Sequence, residues 1–339
     1  MINKIIYLVT NYSGKIPQKL HETVSLDIER LSEFLQGAFS EARVISLDDL
    51  ANELTSNTIE VESVIFFFCS SQIEQYKSAV FDVAFEVYRR GGILVPGIDS
   101  YLAHENKYFQ EMYKSRTGIA TPSAKLLSTS NSNSTSSLPA VIKPYSGFGS
   151  QGVKLAKSKS ELKSAIHRNM SSYVFEKINV REIAKRVIKY FVKFPSEYPD
   201  KIGRVVIQDF IPNLKHDWKV LVFGDRAFAL KRFTRDNDFR ASGSGNFDYS
   251  SSASEGLIEF AFKTRKSLCV PFVSLDVAES TEGFSIIEYQ TIHFGLATAM
   301  NAQKFYSLNN GNITITDCQG ADVEQLYAKS IIDFIFGEL

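Results

Sequence analysis

The stretch Leu138-Pro139-Ala140-Val141-Ile142-Lys143-Pro144-Tyr145-Ser146-Gly147-Phe148-Gly149-Ser150-Gln151-Gly152-Val153 decides the fold. Its first half is a short apolar run that reads as a strand. Its second half is a loop containing Ser146 and three glycines, Gly147, Gly149 and Gly152. Glycine lets a backbone approach phosphate oxygens closely, and exposed loop amides donate hydrogen bonds to such anions. Lys143 puts a point charge where the loop begins. The pattern is not the Walker form, since no Gly-Lys-Ser or Gly-Lys-Thr follows. A glycine-rich hairpin with an unrelated lysine is the competing reading.

Two downstream segments carry further chemistry. Val273-Ser274-Leu275-Asp276 and Ser285-Ile286-Ile287-Glu288-Tyr289-Gln290 read as strands with acidic ends. Glu288 and Gln290 are two residues apart and so share a strand face. An adjacent strand can bring Asp276 beside them. Two carboxylates and an amide oxygen make a hard oxygen site suited to magnesium carrying phosphates. The alternative is a pair of solvated strand-end carboxylates. Between the two regions lies Lys231-Arg232-Phe233-Thr234-Arg235 through Phe239-Arg240 to Gly245. Its arginines and small residues can hold a polyphosphate or stabilise charge on a moving phosphoryl group. Read blandly, it is a basic solvent loop.

Upstream, apolar runs at Ile5–Val9, Val64–Phe68 and Ile93–Val95 alternate with helical spacing at Val24, Ile28, Leu31, Leu35 and at Tyr76, Val80, Val83, Val87. This β-α-β-α-β order predicts a small open α/β domain with a parallel sheet. A helix is expected from about His104 to Arg116, and a surface loop over the Ser, Thr and Asn run at 128–137. A mixed basic and apolar helix is expected over 178–194, with more strands at 205–210, 218–223 and 227–232. A last helix starts at Asp322, with Gln325 placed for a capping box.

Composition narrows the functional classes. The 339 residues are 44% hydrophobic, enough for two domains or one large one. Lys plus Arg equals Asp plus Glu at 38 each, which gives no support to charge-driven nucleic-acid or membrane-surface binding. Three separated cysteines without CxxC indicate a reducing compartment, and no run is long enough to span a bilayer. A cytoplasmic protein is expected. The five histidines are isolated. His293 stands out because it closely follows Gln290.

Taken in order, these features resemble the ATP-grasp superfamily over roughly residues 90–295. The likeness is to its carboxylate–amine ligases, in particular the ribosomal-protein glutamate ligase and D-alanine–D-alanine ligase groups. The resemblance implies an α/β and α+β chain. An N-terminal open α/β domain (1–103) precedes two α+β subdomains that sandwich ATP, a lid with the glycine-rich loop (104–210) and a C-terminal part with the metal site (211–339). Lys107 and Lys143 would be the phosphate-binding lysines, with Ser146, Gly147, Gly149 and Gly152 in the closing loop. Gln208, Asp209, Phe210 and Ile211 look like the hinge against adenine, and Asp217 like the acidic residue on the ribose. Arg232 and Arg240 resemble the phosphate-facing catalytic arginines. Asp276, Glu288 and Gln290 fall on the ligands of magnesium, or of manganese. Gln290 departs from the usual asparagine, and Lys219 from a common arginine.

The implied reaction joins a carboxylate to an amine through an acyl phosphate. The block 235–249 resembles ATP-grasp proteins associated with cell-surface polysaccharides, which points to a sugar acid or amino acid as substrate. A phosphotransferase and a nucleotide-binding regulator are the alternatives, and a homodimer is a reasonable expectation.

Overall fold

The computed structural model describes residues 4–18, 24–130, 136–147, 151–172, 201–235, 238–309 and 311–337. The chain forms two compact units: residues 1–104, 113–120 and 214–339, and residues 105–112 and 121–213.

The first unit begins with β1 (Ile5–Thr10), the short pair β2 (Ile16–Pro17) and β3 (Ser25–Leu26), and α1 (Ile28–Leu35). There follow β4 (Glu41–Ser46), α2 (Leu47–Ser56), β5 (Ile65–Phe68), α3 (Glu74–Arg89), β6 (Ile93–Leu94) and α4 (Ile98–Ala103). The sheet order is β4-β1-β5-β6, and every pairing is parallel. Ile65-Phe66-Phe67-Phe68 is buried along its whole length, as a central parallel strand covered on both faces must be. The expected β-α-β-α-β order is one strand and one helix short. β4 is an edge strand with no buried residue, so Glu41-Ala-Arg-Val-Ile-Ser shows no apolar run. The helix after it buries Leu47, Leu50 and Leu54, and the Ser46 side chain caps its start.

The helix expected from about His104 to Arg116 is α5 (Lys107–Arg116), and the short α4 stands before it as a separate helix. Glu105, at φ 49, turns the chain between them.

The rest of the first unit is β12 (His216–Phe223), β13 (Arg226–Phe233), β14 (Phe247–Asp248), α7 (Glu255–Leu268), β15 (Phe272–Ser280) and β16 (Gly283–Gln290). It ends with α8 (Ala297–Met300), β17 (Lys304–Asn309), β18 (Asn312–Asp317) and α9 (Val323–Phe336). The main sheet runs β16-β15-β12-β13-β17-β18, with β14 beside β13. The helix α9 starts where the sequence places it, with Asp322 accepting from the Gln325 amide. Its Tyr327 lies 4.5 Å from Phe272 and 5.9 Å from Phe67, ring to ring. That aromatic cluster joins the N-terminal sheet and the main sheet into one core.

The second unit contains β7 (Ala124–Thr129), β8 (Ala140–Pro144), β9 (Lys154–Ala156), α6 (Lys159–Arg168), β10 (Ser171–Ser172) and β11 (Lys201–Asp209). Its sheet runs β10-β11-β8-β9, with β7 also on β11. Leu162, Ala165 and Ile166 of α6 pack on Ile142, Val205 and Ile207. Ser128 and Thr129, expected in a loop, finish β7. The expected helix over 178–194 and residues 131–135 of the serine-rich run lie outside the described residues.

Candidate nucleotide and metal sites

In the second unit, β8 carries Lys143 opposite Val206 of β11, and the lysine is buried. The chain then turns through Tyr145, Ser146 and Gly147. Tyr145 is held on both sides: its amide donates to the Arg204 carbonyl at 3.0 Å, and the Arg204 guanidinium stacks 3.8 Å from its ring centroid. Lys107 fastens the same turn twice. Its backbone amide donates to the Tyr145 carbonyl at 2.7 Å and its ammonium to the Gly147 carbonyl at 2.6 Å. An ammonium buried beside loop carbonyls puts positive charge where an anion would meet the loop.

The two described glycines of this loop are required by conformation. Gly147 has φ 121 and Gly152 φ 73, in the region other residues rarely adopt. A Cβ on Gly152 would also stand 3.0 Å from both Pro144 Cγ and Asn169 Oδ1. Gly149 lies outside the described residues.

At the end of β11, Gln208 is buried and donates from Nε2 to Glu111 Oε1 at 3.3 Å. The side chain of Asp209 is exposed, while its amide donates to the Ser123 carbonyl. Phe210 and Ile211 follow the strand, half-buried.

In the first unit, strand register gathers the charged residues on one face of the main sheet. Glu288 pairs with Asp276, Asp276 with Lys219, and Lys219 with Leu230. Asp217 and Arg232, each two residues along, pair with one another in the next row. Gln290 sits opposite Ser274, on the same face as Glu288. The antiparallel arrangement therefore places Asp276, Glu288 and Gln290 together.

The electrostatics of this face are tightly coupled. Arg232 donates from Nε to Asp217 Oδ1 at 2.7 Å and from Nη2 to Asp217 Oδ2 at 2.8 Å. Nη2 also lies 3.0 Å from Asp276 Oδ2, and Lys219 Nζ lies 3.5 Å from Asp276 Oδ1. Burial works against the charge of Asp276, but Arg232 and Lys219 outweigh it and hold the carboxyl down to about 2. Burial likewise opposes the charge of Arg232, and Asp276 and Asp217 overcome it, raising its pKa. Gln290 donates from Nε2 to Glu288 Oε1 at 3.2 Å.

Arg240 belongs to a different local arrangement. It forks onto Asp238, with Nε 2.9 Å from Oδ1 and Nη2 2.6 Å from Oδ2. Both residues lie in the loop after β13.

The donor chemistry of Asp276, Glu288 and Gln290 suits a hard cation. Magnesium takes one or two carboxylates and completes its shell with phosphates and water. Among the described residues no group of three or more His, Cys, Asp or Glu side chains is arranged to hold a metal. The candidate set is thus two carboxylates and an amide oxygen.

Three members of a polar stripe on α5, Gln110, Glu111 and Lys114, escape sequence reasoning, which singles out only Lys107. Lys107, Gln110, Glu111 and Lys114 recur at helical spacing and would ordinarily be taken for a solvated face, yet all four are buried. Lys114 is fully buried, and its ammonium donates to the Ile286 carbonyl at 3.3 Å. The available signal was the spacing itself, since polar residues at i, i+3, i+4 and i+7 line one face.

No family model and no curated protein sequence matches the chain. Solved structures do. The crystal structure of D-cycloserine synthetase DcsG superimposes with a TM-score of 0.55 at 12% identity, covering 97% of this chain and 99% of that one. A RimK domain protein ATP-grasp from Sphaerobacter thermophilus DSM 20745 gives 0.51 at 11% identity, covering 98% and 100%. Among the described residues no helix is long and apolar enough to cross a membrane.

Proposed function

We propose that this chain, which has the ATP-grasp fold, is an ATP- and magnesium-dependent carboxylate–amine ligase. The observation that carries the proposal is the row Glu288–Asp276–Lys219 with Arg232 braced between Asp217 and Asp276. Such a row fixes charges in advance where a phosphoryl group must be held, and preorganised charge is the main resource of this kind of catalysis.

Lys107, Lys143 and the amides around Ser146, Gly147, Gly149 and Gly152 are assigned to the phosphates. Gln208, Asp209, Phe210 and Ile211 are assigned to the adenine, with Asp217 toward the ribose side. Asp276, Glu288 and Gln290 would hold magnesium, and manganese fits the same donors. The bound ion would offset charge on the phosphate oxygens. Arg232 grips Asp217 through Nε and Nη2 and keeps Asp276 ionised through Nη2, which leaves Nη1 for phosphoryl charge. Arg240 adds a second guanidinium from the loop.

In the proposed reaction a substrate carboxylate oxygen attacks the γ-phosphorus and ADP leaves, giving an acyl phosphate. An amine then attacks the acyl carbon, phosphate leaves, and the amine proton passes to solvent. The proposed substrates are a sugar acid or an amino acid and its amine partner, on the resemblance of residues 235–249. Neither a nucleic acid nor a membrane enters the scheme, and a cytoplasmic setting suits the free cysteines.

The test is a phosphate-release screen over paired carboxylates and amines, with mass spectrometry of the products. An amide formed together with one phosphate per turnover is the expected result. A phosphorylated acceptor made without amine would identify a kinase. Nucleotide binding without turnover under any pairing would identify a regulator. Either result overturns the ligase reading.

A further inference from the structure

The outer strand β18 has one paired edge and one open edge. Among the described residues only β17 pairs with it. Two hydrogen bonds fix which way its backbone faces. Leu308 of β17 sends its amide away from β18, to the Asp225 carbonyl at 2.9 Å. Cys318, just past β18, sends its amide toward the β17 side, to the Gln303 carbonyl at 2.9 Å. Backbone direction alternates along an antiparallel strand. Asn312, Thr314 and Thr316 therefore face β17, and the amides and carbonyls of Ile313, Ile315 and Asp317 face outward.

This open edge lacks the usual guards. Native sheets protect exposed edges with lysine, proline or a bulge. Asn312-Ile313-Thr314-Ile315-Thr316-Asp317 instead has four consecutive β-branched residues, and its single charge is at the end. Its pairing with β17 continues without a register shift. Ile315 lies opposite Tyr306, whose side chain is buried and accepts the Ala253 amide at 2.7 Å. Ile315 shares that core-facing side of the sheet yet is 57% exposed. The helix α7 approaches β18 but leaves Ile315 exposed.

We propose that β18 pairs with β18 of a second copy of this chain, antiparallel about a two-fold axis at Thr314. Only outward-facing residues can exchange backbone hydrogen bonds, so Ile313 pairs with Ile315 of the second copy, and Ile315 with its Ile313. Thr314 meets its own mate, and Asn312 meets Thr316. Isoleucine then meets isoleucine on the core face, while threonine and asparagine meet on the other. Asp317 falls opposite Gly311, so no carboxylate faces another or an apolar side chain. Moving the axis to Ile315 would set Asp317 against Ile313, which disfavours that register. A two-fold contact of this kind closes on itself and does not propagate.

The test uses the full chain in sedimentation velocity and non-reducing electrophoresis. The wild type is expected to sediment as a dimer. Ile315→Lys is expected to weaken the dimer at least about tenfold with unchanged circular dichroism, because each lysine enters an apolar cross-strand pair. Thr314→Cys is expected to form a disulfide-linked dimer under mild oxidation. Residues facing in a non-hydrogen-bonded pair have Cα atoms about 4.5 Å apart, within reach of a disulfide. Thr316→Cys is expected not to crosslink beyond the wild-type level, since its mate lies about 13 Å along the strand, four residues away. A wild-type monomer, a dimer that Ile315→Lys leaves intact, or equal crosslinking of the two cysteine variants overturns the proposal.

Discussion

Two arginine–aspartate pairs in the first unit have nearly the same geometry and opposite surroundings. Asp217–Arg232 joins neighbouring strands of the main sheet, and its two side chains are 5% and 7% exposed. Asp238–Arg240 lies within one loop, and its side chains are 18% and 29% exposed. Both forks make bonds of 2.6–2.9 Å. The difference lies in what happens when one member is removed. In the sheet, the survivor is a charge sealed from water. In the loop, water replaces the partner. Bond lengths alone therefore do not rank the two pairs, and burial does.

The largest effect expected from this contrast follows Asp217→Ala. Arg232 would stay buried with Asp276 as its remaining aspartate, at a cost of about 3–5 kcal/mol. Urea unfolding measures it. Removing both charges together, as Asp217→Leu with Arg232→Met, should recover part of that loss, since Asp276 then keeps only Lys219 as its countercharge. A double variant as unstable as the single would show that packing rather than uncompensated charge sets the cost.

A buried group whose desolvation outweighs its charged neighbours supplies the next test. His104 donates or accepts at Nε2 with the Ser71 carbonyl, 3.0 Å away, and its ring lies 5.9 Å from that of His293. Burial pushes its pKa down from 6.5 to about 4. The unfolded chain therefore takes up the proton first as pH falls. The stabilisation from neutral His104 is complete above pH 6.5 and is lost as the pH drops toward 4. That difference amounts to roughly 3 kcal/mol. His104→Gln should flatten the stability profile across this window. An unchanged slope would place the titrating group elsewhere. Arg232 keeps its charge in burial because two aspartates surround it, whereas His104 gives its charge up.

The lysine that fastens the glycine-rich turn, Lys107, lies between these extremes. Lys107→Met removes a charged donor from the Gly147 carbonyl, an interaction of about 1.5–3 kcal/mol. Hydrogen exchange at the Tyr145 amide should accelerate at least about tenfold, while unfolding of the first unit stays unchanged. Lys107→Arg should restore much of the protection. Equal acceleration throughout the chain would show that Lys107 supports the whole fold and not this turn.

How far the sequence reveals these regions depends on what kind of interaction made them. Strand alternation predicted that Glu288 and Gln290 share a face, and the β15–β16 register adds Asp276 opposite Glu288. The parallel N-terminal sheet was legible because its inner strands are continuous apolar runs. Its edge strand β4 was not, because one-sided exposure erases that signal. The fork between Asp217 and Arg232 was hidden for another reason. Fifteen residues separate them, and only the β12–β13 register makes them partners. Sequence reasoning therefore assigned the two residues to different parts of a nucleotide without pairing them. The buried stripe on α5 inverted the ordinary rule that polar spacing means solvent.

The smallest stability effect belongs to the loop pair, and it completes the comparison. Arg240→Ala should change unfolding free energy by no more than about 1 kcal/mol, since both partners regain water. If the loop delivers Arg240 to a transferring phosphoryl group, the same change should still lower turnover by a factor of about a hundred or more. Asp238→Ala separates the alternatives further. It releases the guanidinium without removing it, so it should spare stability and retain more activity than Arg240→Ala. A stability loss above about 2 kcal/mol for either variant would put the loop pair in the same class as the sheet pair, and burial would no longer explain their difference.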